Sequence, residues 1–196
     1  MENKQTERHP LGFFLPEHTK ILMLGSFPPP KERWSMNFYY PNFQNDMWRI
    51  LGIIFYADKD YFVASWGKAF DEEKAKTFCR EKGIGLGDTA MEIIRLKDNA
   101  SDKFLEVATP AKVEEILDKI PLCQAIVITG QKAMDTLLSV LSFDEPKTGA
   151  FASCRLANRT IKVYRMPSSS RAYPKPLQDK AADYKKMFHE LGFPLL

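Results

Sequence analysis

The 196-residue sequence holds three cysteines and three histidines, and neither set is clustered. Cys79, Cys123 and Cys154 lie far apart with no CxxC or Cys/His spacing, and His9, His18 and His189 are equally scattered. This pattern points away from a disulfide framework and from a zinc or iron–sulfur centre, and it fits a reducing compartment. No apolar run approaches the length needed to span a bilayer. The opening MENKQTERHP is polar and carries no apolar core of a secretory signal. A cytoplasmic protein without a metal or a membrane partner is therefore expected. Acidic residues are missing from one long stretch. Between Pro146 and Gln178 there is no Asp or Glu, against seven cations: Lys147, Arg155, Arg159, Lys162, Arg165, Arg171 and Lys175. With a net charge of +3 for the chain, these seven leave −4 for the remainder. Such a run is either a solvated face or the electrostatic footprint for a polyanion such as nucleic acid.

What the sequence does contain is an ordinary apolar fraction of 44% and charged fraction of 27%, enough for one well-buried core. A single domain over 20–196 is expected, preceded by a polar segment, 1–19, that is peripheral or partly disordered. Four short apolar runs read as buried strands: KILMLGSF (20–27), IGLGDTA (84–90), QAIVITG (124–130) and TIKVYRM (160–166). The first and third lack polar alternation, as strands covered on both faces do. Helix patterns separate them. NDMWRILGIIFY follows the first run, and FDEEKAKTFCREKG has Asp71 as a cap and stops at Gly83. In TPAKVEEILDKIP, Thr109 is placed to cap and Pro110 to occupy the first turn. GQKAMDTLLSVL starts directly after the third run, and a last helix over about 176–191 repeats Leu177, Ala181, Tyr184, Phe188 and Leu191. Strands alternating with helices imply a mostly parallel sheet in a three-layer α/β/α sandwich. Ligands bind such sheets at the carboxyl ends of the strands. Three loops qualify, after Leu24, after Leu86 and after Arg165.

The first of these, GSFPPPKERWSMNFYYPNFQNDMW, is dense in rings and asparagines. Tyr39 and Tyr40 offer flat faces for a nucleobase, and Trp34, Phe38 and Phe43 offer walls. Asn42 and Asn45 have the groups to read a base edge or position a water. The same rings also suit a second core under a long loop, and Trp48, on the following helix, is expected to pack. The last loop, MPSSSRAY, places hydroxyls, backbone N–H groups and Arg171 where phosphate oxygens would suit them. It also reads as a plain strand-to-helix turn. The two loops are expected to meet, with the basic run, at one rim.

Taken in order, ILMLGSFPPP…YYPNFQNDMWRILG, IGLGDTA, AIVITGQKAMDTL and VYRMPSSSRAYPKPLQDKAADYKKMF resemble the successive motifs of the uracil-DNA glycosylase superfamily. The nearest patterns are its mismatch-specific uracil and hypoxanthine-DNA glycosylase branches. The resemblance runs from about Lys20 to Phe188. It implies a central four-stranded parallel sheet flanked by helices, and hydrolysis of the N-glycosidic bond of a deaminated base, hypoxanthine or uracil, flipped out of DNA. The partner would be DNA containing the damaged base, the protein a monomer, and no cofactor would be required.

Residue by residue, Gly25 and Pro28 match the first motif. Phe27 stands where the best-known branches carry a water-orienting Asp or Asn, and would line the base site. NDMW matches an element from which hypoxanthine-type members draw a catalytic Asn, which makes Asn45 the candidate to position water, with Asp46 in reserve. Tyr39, ahead of Tyr40, takes the place of the ring stacked on the base. Thr129 falls in the base-reading region. Met166 replaces the usual His or Asn that assists the leaving base. Pro167 and Ser168, with Ser169, Ser170 and Arg171, match the segment that pinches the DNA backbone. Ser170 is too small to fill the hole left by the base, so Arg171 or Tyr173 would do so. Asp88 is either an anion near the sugar or the cap of a following helix. Asn99 and Asp102 either reach the site or shape a turn. Two other readings stand beside catalysis on DNA: a nucleic-acid-binding protein of the same fold with weak or no cleavage, and a hydrolase of a free nucleoside.

Overall fold

The structure is a computed structural model in which residues 6–96 and 104–196 are described; Asn99 and Asp102 lie outside them. Its centre is a sheet of five strands in the order β3 (Ile84–Asp88), β2 (Ile21–Gly25), β6 (Ala125–Thr129), β8 (Thr160–Met166) and β7 (Ala150–Arg155). The first four are parallel, as expected from the sequence. The fifth, β7, pairs antiparallel along the β8 edge. Its residues are mostly exposed, so it carries no continuous apolar run to announce it.

The alternation of side chains across the sheet separates two cores. Ile21 and Met23 of β2, Ala125 and Val127 of β6, and Tyr164 and Met166 of β8 face one side. There they meet α1 (Met47–Tyr56), α2 (Glu72–Lys82) and α5 (Leu177–Glu190). Leu22, Leu24, Ile126, Ile128, Ile161 and Val163 face the other side, against α3 (Val113–Asp118) and α4 (Gln131–Leu138). Both faces are covered, so the strands read as unbroken apolar runs. Each fully buried Leu or Ile contributes roughly 1.5–3 kcal/mol by leaving water.

Helix α2 starts as the sequence suggests, with the Asp71 side chain accepting the Lys74 N–H at 3.0 Å. It ends at Gly83 with φ 72°, a left-handed backbone that glycine adopts without a Cβ clash. Thr109 and Pro110 do not open α3. Both belong to a strand, β5 (Leu105–Pro110), and the Thr109 hydroxyl donates to Glu92 Oε2 at 2.7 Å. The proline suits a strand terminus as well as it suits a first helical turn.

The run read as one strand over 84–90 is two. After Asp88 the chain passes through Thr89 into β4 (Ala90–Arg95), which forms a separate antiparallel sheet, β1-β4-β5, with β1 (Thr6–Arg8) at one edge. Phe27, Ala90, Ile93 and Leu105 form a third small core there. From Thr6 onward the polar N-terminal segment is therefore built into the fold. β1 pairs with β4, His9 N–H donates to Met91 O at 2.8 Å, and Phe14 forms a bridge with Leu86.

Candidate functional site

At the carboxyl ends of β2, β6 and β8 lies a cavity of about 670 Å³, within the size range of small-molecule sites. Its floor includes Gly25, Ser26 and Thr129, its walls Tyr40, Asn42 and Asn45, and its rim Arg33, Ser168 to Tyr173 and Pro174. The ring-rich loop and the serine loop do meet at one place.

Most of the rings do not line it. Tyr39 is 4% exposed, and its hydroxyl donates to Gly12 O at 2.9 Å, so it supports the loop from below. Phe38 stacks beside Trp48 and meets Phe14 edge-on. Phe43 lies under the Arg49 guanidinium, and Trp34 Nε1 donates to Pro29 O. Trp48 is wholly buried, as expected. Tyr40 is the ring of this loop that faces the cavity, which reverses the preference for Tyr39. Its hydroxyl is 3.5 Å from Thr129 Oγ1. Burial pushes the phenol well above its ordinary value, the Thr129 hydrogen bond pulls it down, and the Asp88 charge adds to the rise. Tyr40 also has φ 52°, a left-handed conformation that costs a non-glycine residue about 1–3 kcal/mol and is met mainly at functional sites.

Phe27 and Met166 stand outside the cavity lining. Phe27 is drawn into the core of the second sheet, and Met166 is 1% exposed within the main core. Apolar side chains at these two strand ends are accounted for by packing on the layer beneath. Pro167 likewise stands outside the lining, while Ser168, Ser169, Ser170 and Arg171 belong to it, Ser169 with only 3% of its surface exposed.

A charged network fixes that loop. Asp46 is 5% exposed and Lys180, on α5, is wholly buried. Lys180 Nζ lies 2.9 Å from Asp46 Oδ2 and donates to Ser170 O at 2.8 Å. Arg171 Nε reaches Asp46 Oδ1 at 3.4 Å, and Asp46 N–H donates to Ser169 O at 2.9 Å. Asp46 therefore ties α1, α5 and the serine loop together rather than facing the cavity. Next to it, Asn45 Oδ1 accepts the Met47 N–H at 2.9 Å, which satisfies one orphan donor of α1. An amide oxygen has two lone pairs, and the NH₂ group donates twice, so the side chain retains hydrogen-bonding capacity at the cavity wall.

The basic run does not gather here as a whole. Arg171 is its one cation on the cavity lining, and Arg33 joins it from the first loop. Arg159 donates to the carbonyls of Leu117, Ile120 and Pro121 behind α3. Arg165 pairs with Glu145 at 3.0 Å, and Lys175 with Asp183. Much of the run is thus spent inside the structure, which a count of charges along the chain does not reveal.

Asp88 caps no helix, because a strand follows it. Its carboxylate lies behind the cavity floor, with Oδ2 2.7 Å from His9 Nε2. Burial pushes the carboxyl up, and the His9 hydrogen bond, the His9 charge and the Gly25 N–H pull it back. Gly25 makes room for it: a Cβ there would sit 2.5 Å from Asp88 Oδ1. Gly25→Ala is therefore expected to cost about 1–3 kcal/mol, the usual range for overpacking, and to lower any activity of the site. Chemical denaturation checks the first effect, and a variant as stable as the parent would show that Asp88 is free to move.

Sequence reasoning passed over His9 and Arg33. It also passed over Lys180, for which one signal existed: a lysine three residues after Leu177 and four before Tyr184, on the apolar stripe of its helix. Among the described residues no three of His, Cys, Asp or Glu are grouped to hold a metal ion. Likewise, no helix among them is long and apolar enough to cross a membrane.

A polar cavity at the carboxyl ends of a parallel sheet flanked by helices on both faces defines the class: a three-layer α/β/α fold with its candidate site at the strand ends. The chain is similar to a solved structure of this kind, the solution NMR structure of a putative uracil DNA glycosylase from Methanosarcina acetivorans. The TM-score is 0.62 and the identity 21%, over 95% of this chain and 99% of that one. No family model and no curated protein matches the sequence.

Proposed function

We propose that the protein is a monofunctional DNA glycosylase that hydrolyses the N-glycosidic bond of a deaminated base, hypoxanthine or uracil, flipped out of DNA. The observation that carries this reading is the convergence of Tyr40, Asn45 and Thr129 with the serine loop and two arginines on one cavity, in a fold shared with a protein described as a glycosylase. A flipped base stacks on Tyr40, and Thr129 Oγ1 meets its edge. Ser168, Ser170, Arg171 and Arg33 hold the flanking phosphates. The bond from C1′ to the base nitrogen breaks with its electron pair leaving on the base, and the sugar becomes cationic. The start of α4, directly after Thr129, presents the positive end of a helix dipole to the departing base. Asn45 holds the water whose oxygen then bonds to C1′, while its proton is lost and the base takes up a proton. A monomer acting on DNA is part of this reading. Base-excision repair in the cytoplasm is the setting that this chemistry serves.

Two buried apolar residues, Phe27 and Met166, favour a second reading, a nucleic-acid-binding protein of the same fold that does not cleave. The deciding experiment uses labelled DNA carrying one uracil, hypoxanthine or xanthine, with alkali added to break abasic sites. Cleavage dependent on one of these bases is expected. Tight, salt-sensitive binding of the same DNA without cleavage would sink the enzymatic reading and leave the binding one. Hydrolysis of the free nucleoside alone would replace both.

A further inference from the structure

We propose that His9 is a positioning residue of the active site, reaching in from the N-terminal segment to hold the Asp88 carboxylate against the cavity floor, where that charge stabilises the cationic sugar. This rests on the glycosylase reading.

The two side chains are almost fully withdrawn from water, His9 at 1% and Asp88 at 9% exposed. Burying a charged pair costs desolvation energy that an apolar pair would not. In a segment that otherwise packs through Leu11, Phe13 and Phe14, stability alone does not call for it. The pair also lies directly beside the cavity. Asp88 Oδ1 abuts Gly25, and the point where a Gly25 Cβ would sit is 3.9 Å from Thr129 Oγ1. Thr129 in turn is the neighbour of the Tyr40 hydroxyl. A negative charge at this depth is little screened by solvent.

The imidazole is fixed on every side. Nδ1 faces the Leu11 backbone, with the carbonyl oxygen 2.5 Å and the amide nitrogen 3.1 Å away. Phe27 meets the ring edge-on at 5.1 Å between centroids, and Tyr39 stacks at 6.1 Å. Phe27 and Tyr39, which line no part of the cavity, thus build the wall that holds His9. The groups facing Asp88 are His9, the Gly25 N–H, and the phenols of Tyr39 and Tyr40. Burial, with the Asp88 charge adding to it, pushes both phenols well above their ordinary values. They stay neutral through the working range, so two of these groups favour the ionised carboxylate, His9 and the Gly25 N–H, and of the two only His9 is a side chain that substitution removes.

The test is the single-turnover cleavage rate as a function of pH for the unaltered protein, His9→Ala and His9→Gln, with thermal melting of each. Without His9, only the Gly25 N–H opposes the effect of burial, and the Asp88 carboxyl titrates at higher pH. Activity that needs the carboxylate is lost as pH falls through that value, so the acid limb of the profile moves upward. His9→Ala is expected to be slower by roughly 10²-fold on that limb, the scale of one lost electrostatic contact to the transition state. His9→Gln, whose amide donates without a charge, should recover the melting temperature and not the acid limb. Should His9→Ala fail to fold, the His9→Gln profile decides. An acid limb that stays in place in an active variant would overturn the proposal alone. Absence of cleavage by the unaltered protein would overturn the glycosylase reading and this role with it.

Discussion

Lys180→Met is expected to destabilise the protein by about 3–5 kcal/mol, the cost of stranding one partner of a buried ion pair. The substitution keeps most of the side-chain length and removes the charge. Asp46, 5% exposed, is then left with Arg171 at 3.4 Å, and the Ser170 carbonyl loses its donor. Half of the Arg171 side chain is exposed, so its contact with Asp46 is weakened by solvent and replaces Lys180 poorly. Equilibrium urea denaturation measures the loss. The double variant Asp46→Asn/Lys180→Met should recover part of it, because no uncompensated charge remains buried. A loss in the single variant below about 1 kcal/mol would mean that Asp46 reaches water more freely than its burial indicates. Because the pair also anchors the serine loop, DNA binding should weaken alongside stability.

The second large effect is expected on activity. Asn45→Ala should lower the single-turnover rate by roughly 10²-fold or more, the range found when a positioned acid–base group is removed. It also removes the Oδ1 acceptor of the Met47 N–H, a loss that costs about 1 kcal/mol of stability at a helix start. Asn45→Asp separates the two roles. A carboxylate accepts the same N–H, so stability should hold, while the NH₂ donors at the cavity wall are gone. If Asn45→Ala cleaves at the parent rate, Asn45 serves α1 alone and another group holds the water.

The parallel core of this protein was legible because its evidence is local. ILMLG and AIVI are buried on both faces and therefore carry no polar residue to interrupt them, the threonine of β6 coming only at its carboxyl end. Asp71 and Gly83 bound α2 by contacts within a few residues of themselves. The position of the site was legible for a similar reason. A parallel sheet presents its strand ends at one edge, so the loops after Leu24 and Arg165 had to come together there.

What only the tertiary structure decided concerns direction and distance. Both Tyr39 and Tyr40 are tyrosines in the same turn. The positive φ of Tyr40 sends one ring to the cavity and leaves the other in the core, and no residue pattern specifies that choice. The strands β1, β4, β5 and β7 are edge or half-exposed strands, defined by their pairing partners more than by their own apolar pattern. The basic run is less available than its charge count suggests, because Arg159, Arg165 and Lys175 are bound to groups within the protein. His9 and Asp88, and Asp46 and Lys180, meet across 79 and 134 residues. The sequence alone determined the layers, the sheet direction and the edge where a ligand binds, through burial and local backbone preference. Which charges are buried together, and which ring meets the ligand, followed only from the long-range packing that closes the chain around them.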